Sequence, residues 1–224
     1  MHPANRIALT LNAGFCDTAT FIAMGGIFSA HVTGNFVLFA AALAEGISAE
    51  DYLKLWTFPV FLLGVALAVI CAGKNPGSAS ALRRILLAVL IVLLGIQGIN
   101  FLAASDYLSI GVDAALTLLL VLAMAMQNTV HRYVAGPMTT VMTGTVMNTM
   151  AGYTQKLLGF PVNREVAQGA QPLALIGGFA LGCAAGGFAV VYWQWWSLLV
   201  PLVITAAVLV LEHRSDAKAE LADQ

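Results

Sequence analysis

GFCDTATFIAMGGIFSAHVTGNFV, residues 14–37, sets Asp17, His31, Thr33 and Asn35 inside an otherwise apolar run and interrupts it with Gly25, Gly26 and Gly34. A second version, AMQNTVHRYVAGPMTTVMTGTVM, occupies residues 125–147. An offset of 110 maps Asp17 onto Gln127, Gly26 onto Gly136, Thr33 onto Thr143, Gly34 onto Gly144 and Asn35 onto Thr145, with no gap. One unit is used twice, and each copy opens on a polar, glycine-interrupted segment.

Composition sets the solvent. Of 224 residues, 60% are hydrophobic and 9% charged, with a mean hydropathy of +0.87. Soluble domains carry roughly 25% charged residues, so the chain reads as an integral membrane protein whose first partner is the lipid bilayer. A formal net charge of −1 gives no field to steer nucleic acid. Cys16, Cys71 and Cys183 lie far apart in apolar runs, without metal-ligand or redox spacing, and read as packing residues. The N-terminal run resembles a signal peptide, but Asp17 interrupts its apolar part and the pattern recurs deep in the chain. It is therefore read as a retained first segment.

Outward from the motif, the apolar regions fall at 7–45, 56–73 and 85–104 in the first copy and at 114–155, 173–191 and 197–211 in the second. The expected organisation is a single membrane domain, with one repeat over about 6–104, the other over about 113–212, and a charged tail at 212–224. Residues 56–73 suffice to cross a core of ~30 Å at ~1.5 Å per residue. Gly64, Ala68 and Ala72 lie four apart, as do Gly178, Gly182 and Gly186, so each set lines one helix face and predicts a close-packed seam.

Six net crossings leave Arg6, Lys74, Arg83, Arg84, Lys156, Arg164, Arg214 and Lys218 on one side and Lys54 alone on the other. Eight crossings split the basic residues, so the positive-inside rule selects six, with both termini cytoplasmic in a bacterial inner membrane. Three crossings per copy is odd, which inverts the second copy. The expected fold is all-α, with six net transmembrane crossings as two inverted three-span repeats. Residues 7–45 would extend ~58 Å as one helix, so the first helix of each copy must be interrupted. The glycines and Gly136-Pro137 mark the breaks.

Candidate substrate- or ion-binding residues follow from that geometry: Asp17, His31, Thr33, Gly34, Asn35, Gln127, Asn128, Arg132, Thr143, Gly144 and Thr145. Thr33 and Thr143 are placed to cap restarting helices whose free N–H groups would point into the protein. Inverted repeats bring two such starts together near the midplane in several transporters. A structural alternative is that the Thr-Gly pairs only permit close helix crossing. Asp17 and Arg132 each cost ~2.5–3.5 kcal/mol inside a span and need partners. They either pair with each other across the halves, or Arg132 holds an anionic substrate while Asp17 carries a proton. His31 is unique to one copy, and it is either a titrating gate or a hydrogen-bonded structural histidine. Gln127, Asn128 and Asn148 suit interhelical hydrogen bonds.

No nucleophile–base set, Walker loop or dinucleotide fingerprint is present, so no enzyme, cofactor or metal is expected. The motifs GFCDTATFIAMGGIFSAHVTGN, AMAMQNTVHRYVAG and VMTGT resemble the YoaK-like family of small bacterial membrane proteins, a domain of unknown function. That resemblance covers roughly residues 6–212 and implies six transmembrane segments but no substrate. Two functions remain from the sequence. One is a small secondary transporter or channel for a small metabolite, with an anionic substrate and proton coupling as its sharper form, working as a homodimer. The other is a scaffold or sensor in which the polar motif only packs helices.

Overall fold

The computed structural model describes all residues except 75–76, 105–110, 135–141, 162–170 and 223–224, with backbone alone at 78, 142, 171 and 216–222. The described residues form helices and turns: α1 (Pro3–Ala23), α2 (Val32–Glu45), α3 (Tyr52–Ala72), α4 (Ser78–Ala104), α5 (Val112–Thr129), α6 (Met142–Leu157), α7 (Gln171–Trp193) and α8 (Leu199–Ala222). A 3₁₀ turn, Val130–Arg132, continues α5, and another, Gln194–Leu198, joins α7 to α8. The fold is all-α and membrane-embedded. Among the described residues, four stretches are long and apolar enough to cross a bilayer, and the last, Pro172–Ser215, is 44 residues long and takes in most of α7 and of α8. Gly136-Pro137, the expected break of the second copy, lies outside the described residues.

Burial separates the inner helices from the outer ones. Buried residues make up 61% of the apolar window of α5 but 22% of that of α3. In α1, Asn5, Arg6, Thr10, Asn12, Asp17 and Thr20 are all buried, so its polar side chains face the protein. Leu9, Phe15, Leu86, Leu93, Leu116 and Leu120 fill the core. Leu62, Ile70, Ile91, Leu181, Phe188 and Val203 stand exposed on α3, α4, α7 and α8, as lipid-facing residues do.

The small-residue ladders join helices of opposite halves. A Cβ on Gly182 would overlap the carbonyl oxygen of Leu11, one on Gly186 that of Phe15, and one on Gly14 that of Phe179. On the other side, a Cβ on Gly64 would sit 2.8 Å from the Leu122 oxygen and 2.6 Å from the Ala125 Cβ. The predicted seam therefore exists twice within one chain, as α1 on α7 and as α3 on α5.

Side-chain contacts order the helix directions. Leu11 faces Gly182 and Phe15 faces Gly186, so α1 and α7 run parallel. Asn5 meets Glu212 while Asn12 meets Thr205, so α8 runs opposite to α1. Arg83 meets His213 and Gln97 meets the Trp195 carbonyl, which sets α4 opposite to α8. Arg84 donates to the Ala72 carbonyl at the α3–α4 turn. Phe36 stacks on Phe58 and Phe39 on Tyr52, so α2 runs opposite to α3. It follows that α1 and α2 point the same way, and the segment between them is a step, not a hairpin.

Candidate functional site

Gly25 and Gly26 end α1 with φ of 58° and 99°, left-handed values that favour glycine. The chain then doubles back, because Ala30 donates its N–H to Asp17 Oδ1 at 2.5 Å. Asp17 lies six residues before the end of α1, so α2 restarts about 9 Å below that end.

The start of α2 is held from another helix. His31 occupies its N-cap position but makes no side-chain cap, and Thr33, expected to be the cap, falls inside the first turn. Asp17 instead holds the residues just before the helix. Its Oδ1 accepts from the N–H of Ala30 and, at 3.4 Å, from His31 N–H and Ser29 Oγ. Its Oδ2 is paired with His31 Nδ1. A carboxylate beside an α-helix N-terminus is stabilised by the helix dipole, by about 0.3–1 kcal/mol at the surface and up to about 2 when partly buried. Asp17 is 3% exposed, whereas the His31 side chain is 36% exposed and meets Phe179 of α7 edge-on, with ring centroids 5.5 Å apart.

Asn35 fixes the other end of the step. Its Oδ1 accepts from Phe28 N–H at 2.8 Å, and its Nδ2 donates to Phe28 O at 2.8 Å and to Thr57 Oγ1 at 3.0 Å. The side chain thus acts as a strand partner for one loop residue and ties the step to α3. Gly34 leaves room for the Phe28 ring, which a Cβ there would approach to 3.0 Å.

In the second copy, α6 is described from Met142 onward. Thr33 and Thr143 are both exposed, Gly34 and Gly144 both half-buried, and Asn35 and Thr145 both buried. Gln127, in the place of Asp17, is buried and donates from Nε2 to the Leu9 carbonyl at 2.9 Å. Asn128 is half-buried.

Two expectations change. Asp17 does not pair with Arg132: its partner is His31, and Arg132 is exposed in the turn that ends α5. Among the described residues, α2 packs on α3 and α6 on α7, and α2 and α6 do not pack on each other. Asp17, His31 and Asn35 are brought together; Arg132 and the α6 residues are not part of that cluster. Sequence reading missed Ser29, Phe28 and Thr57 as partners, and missed the Asn12 and Glu212 contacts to and from α8. A buried Asn in an apolar run was the available signal for Asn12.

With this geometry in hand, comparison with known proteins places the chain. The profile described as "Protein of unknown function (DUF1275)" matches residues 6–211. The chain belongs to the DUF1275 family. It is also similar to the UPF0700 transmembrane protein YoaK of Bacillus subtilis (strain 168), 28% identical over 153 residues that span 66% of each chain. No solved structure matches. The DUF1275 segment runs from the first turn of α1 to the residue before Glu212, where α8 closes onto that turn. There Glu212 Oε1 accepts from Asn5 Nδ2 at 2.6 Å and from His2 N–H at 3.1 Å.

Proposed function

We propose that this DUF1275 protein is a small secondary transporter or channel for a small metabolite, with the Asp17–His31 pair as its proton-carrying group. That pair carries the reading. A buried carboxylate shares its two oxygens between a helix start and a half-exposed imidazole, and histidine titrates near neutral pH. A proton taken up by Asp17 itself would weaken its hold on the residues before α2, so charge and step geometry are coupled.

The topology proposed with it is six net crossings in two inverted three-span repeats. Support comes from the matching burial of Thr33, Gly34 and Asn35 with Thr143, Gly144 and Thr145, and from the parallel run of α1 and α2 across the step. Exchange of partners between halves, α1 with α7 and α5 with α3, fits the same scheme. Both termini are placed in the cytoplasm of a bacterial inner membrane, following the basic residues. The protein is read as a non-enzyme without cofactor that works as a homodimer. Arg132 and the α6 start, Thr143, Gly144 and Thr145, are proposed contacts for an anionic substrate.

A second reading rests on Asn35, all of whose bonds are spent on holding the step. In that reading the motif is a packing device in a scaffold or sensor. Single cysteines at Thr33 and Thr143, in a background without Cys16, Cys71 and Cys183, separate the two. A membrane-impermeant thiol reagent labels both from water if the restarts line a permeation path. Folded protein that resists the reagent from either side supports the scaffold.

A further inference from the structure

The end of α3, the start of α4 and the end of α8 meet at one end of the bundle, away from the Asp17–His31 pair, and they bring basic side chains together there. Arg84 donates from Nη1 to the Ala72 carbonyl at 3.1 Å and lies over Gly73, where a Cβ would come within 2.9 Å of that nitrogen. Arg83, half-buried beside it, meets His213 of α8, Nη1 to Nδ1, at 3.1 Å. A guanidinium can only donate, so Nδ1 accepts and the ring proton sits on Nε2. The imidazole therefore offers an N–H of its own on the side turned away from Arg83. Lys74, two residues past Ala72, is exposed at the same turn. Glu212, next to His213, is buried and turned to α1, where it accepts from Asn5 and His2.

Donors and position together decide what this cluster can hold. Two adjacent guanidinium groups and an imidazole N–H suit an anion with several acceptor oxygens, and arginine matches phosphate in bidentate fashion. The cluster stands near the ends of two apolar stretches, Ala79–Ala104 and Pro172–Ser215. One turn deeper, Leu87 on α4 is 48% exposed and Val210 on α8 is 50% exposed, on the faces that carry Arg83 and His213. Hydrocarbon at that depth lies directly below the donors, so one molecule can satisfy both. Basic groups between helices at a membrane rim bind anionic head groups, and each Lys or Arg near an anionic surface contributes about 1 kcal/mol. We propose that Arg83, Arg84 and His213 bind the phosphate of an anionic phospholipid, whose acyl chains run over Leu87 and Val210. A zwitterionic lipid would bring its own ammonium group against the two guanidinium groups, so the site selects net negative charge. The bound lipid would tie the α3–α4 turn to the last helix. It stands beside the transport reading and does not require it.

The test is thermal unfolding of the full chain, purified in a neutral detergent, with added phosphatidylglycerol, phosphatidylcholine or inorganic phosphate. A ligand that binds only the folded state raises the midpoint in a saturable way. Phosphatidylglycerol should raise it by several degrees, and phosphatidylcholine should not. Arg83→Gln should raise the half-saturating fraction of phosphatidylglycerol about tenfold, the equivalent of about 1.4 kcal/mol. Arg214→Gln removes the same charge from the same end, at an exposed position turned roughly 100° from His213 around α8, and should leave that fraction unchanged. If Arg83→Gln does not fold, Arg83→Lys and Arg214→Lys give the same comparison, since lysine keeps the charge but gives up the planar fork. A wild-type midpoint indifferent to phosphatidylglycerol would overturn the proposal. Equal losses at Arg83 and Arg214 would overturn it too, by reducing the effect to general surface charge. An increment reproduced by inorganic phosphate would assign the cluster to a free anion instead. Because nothing is transported in this assay, its failure leaves the thiol-labelling result untouched.

Discussion

Asp17 divides its carboxylate between two tasks: Oδ1 holds the N–H groups before α2, and Oδ2 holds the His31 imidazole. Charge-assisted bonds of this kind contribute about 1.5–3 kcal/mol each, and an unpaired charge in a span is costly. Asp17→Asn and His31→Gln should therefore each destabilise by about 1–3 kcal/mol. The double variant should lose little more than the worse single, giving a coupling of about 0.5–3 kcal/mol. Denaturation of the four proteins in one detergent checks this, and simple additivity would refute the pair. In the transport reading, Asp17→Asn also ends proton movement in dye-loaded proteoliposomes while folded yield persists. Asp17 was visible in the sequence as a charge that needs a partner, but the partner was not. His31 lies 14 residues away across a reversal of direction, where no helical or strand period applies. Arg132 was the only strong cation in view, and it turned out to sit in an exposed terminal turn.

At the scale of the helix, the α1–α7 contact is a backbone-to-backbone approach made possible by glycine. The spacing of Gly178, Gly182 and Gly186 was readable because small residues every fourth position share one face. The partner helix was not readable, since a ladder says that something comes close without saying what. Gly182→Ala places a methyl group where the Leu11 carbonyl oxygen lies, so the helices must separate and lose packing along the whole seam. Overpacking of this kind costs about 1–3 kcal/mol. Gly177, in the same helix, has nothing within 4 Å of its would-be Cβ. Gly177→Ala should be neutral or stabilise by up to about 1 kcal/mol, because alanine favours the helix over glycine. Paired melting curves decide it, and equal shifts in the two variants would mean that the seam does not govern this region.

For the whole molecule, the decisive question is how many times the chain crosses, and the step between α1 and α2 bears on the first copy's share. If α1 and α2 were a hairpin, each would cross and the α3–α4 turn would lie opposite the N-terminus. In the proposed topology they count as one net crossing, because they run the same way, and the turn and the N-terminus share a side. Charge had pointed there already, since Arg83, Arg84 and Arg214 gather at one end, while Lys54 sits at the other, paired with Asp51 at 2.6 Å. The hydrogen bond from Lys54, with those from Ser48, holds the Asp51 carboxyl well below the usual carboxylate range, so this end keeps its ion pair across the physiological range. What charge could not supply was the local path, because no count of Lys and Arg reveals that residues 24–31 fold back to the level of Asp17. The prediction is that cysteines at Ala4 and Gly77 label from the same, cytoplasmic side and one at Ser48 from the opposite side. Gly77 and Ser48 are both in connecting segments and Ala4 is exposed in the first turn of α1, so the variants should fold. Labelling of Ala4 and Gly77 from opposite sides would require α1 and α2 to cross separately. It would also give the first copy an even number of crossings, and so remove the reason for proposing that the second copy is inverted.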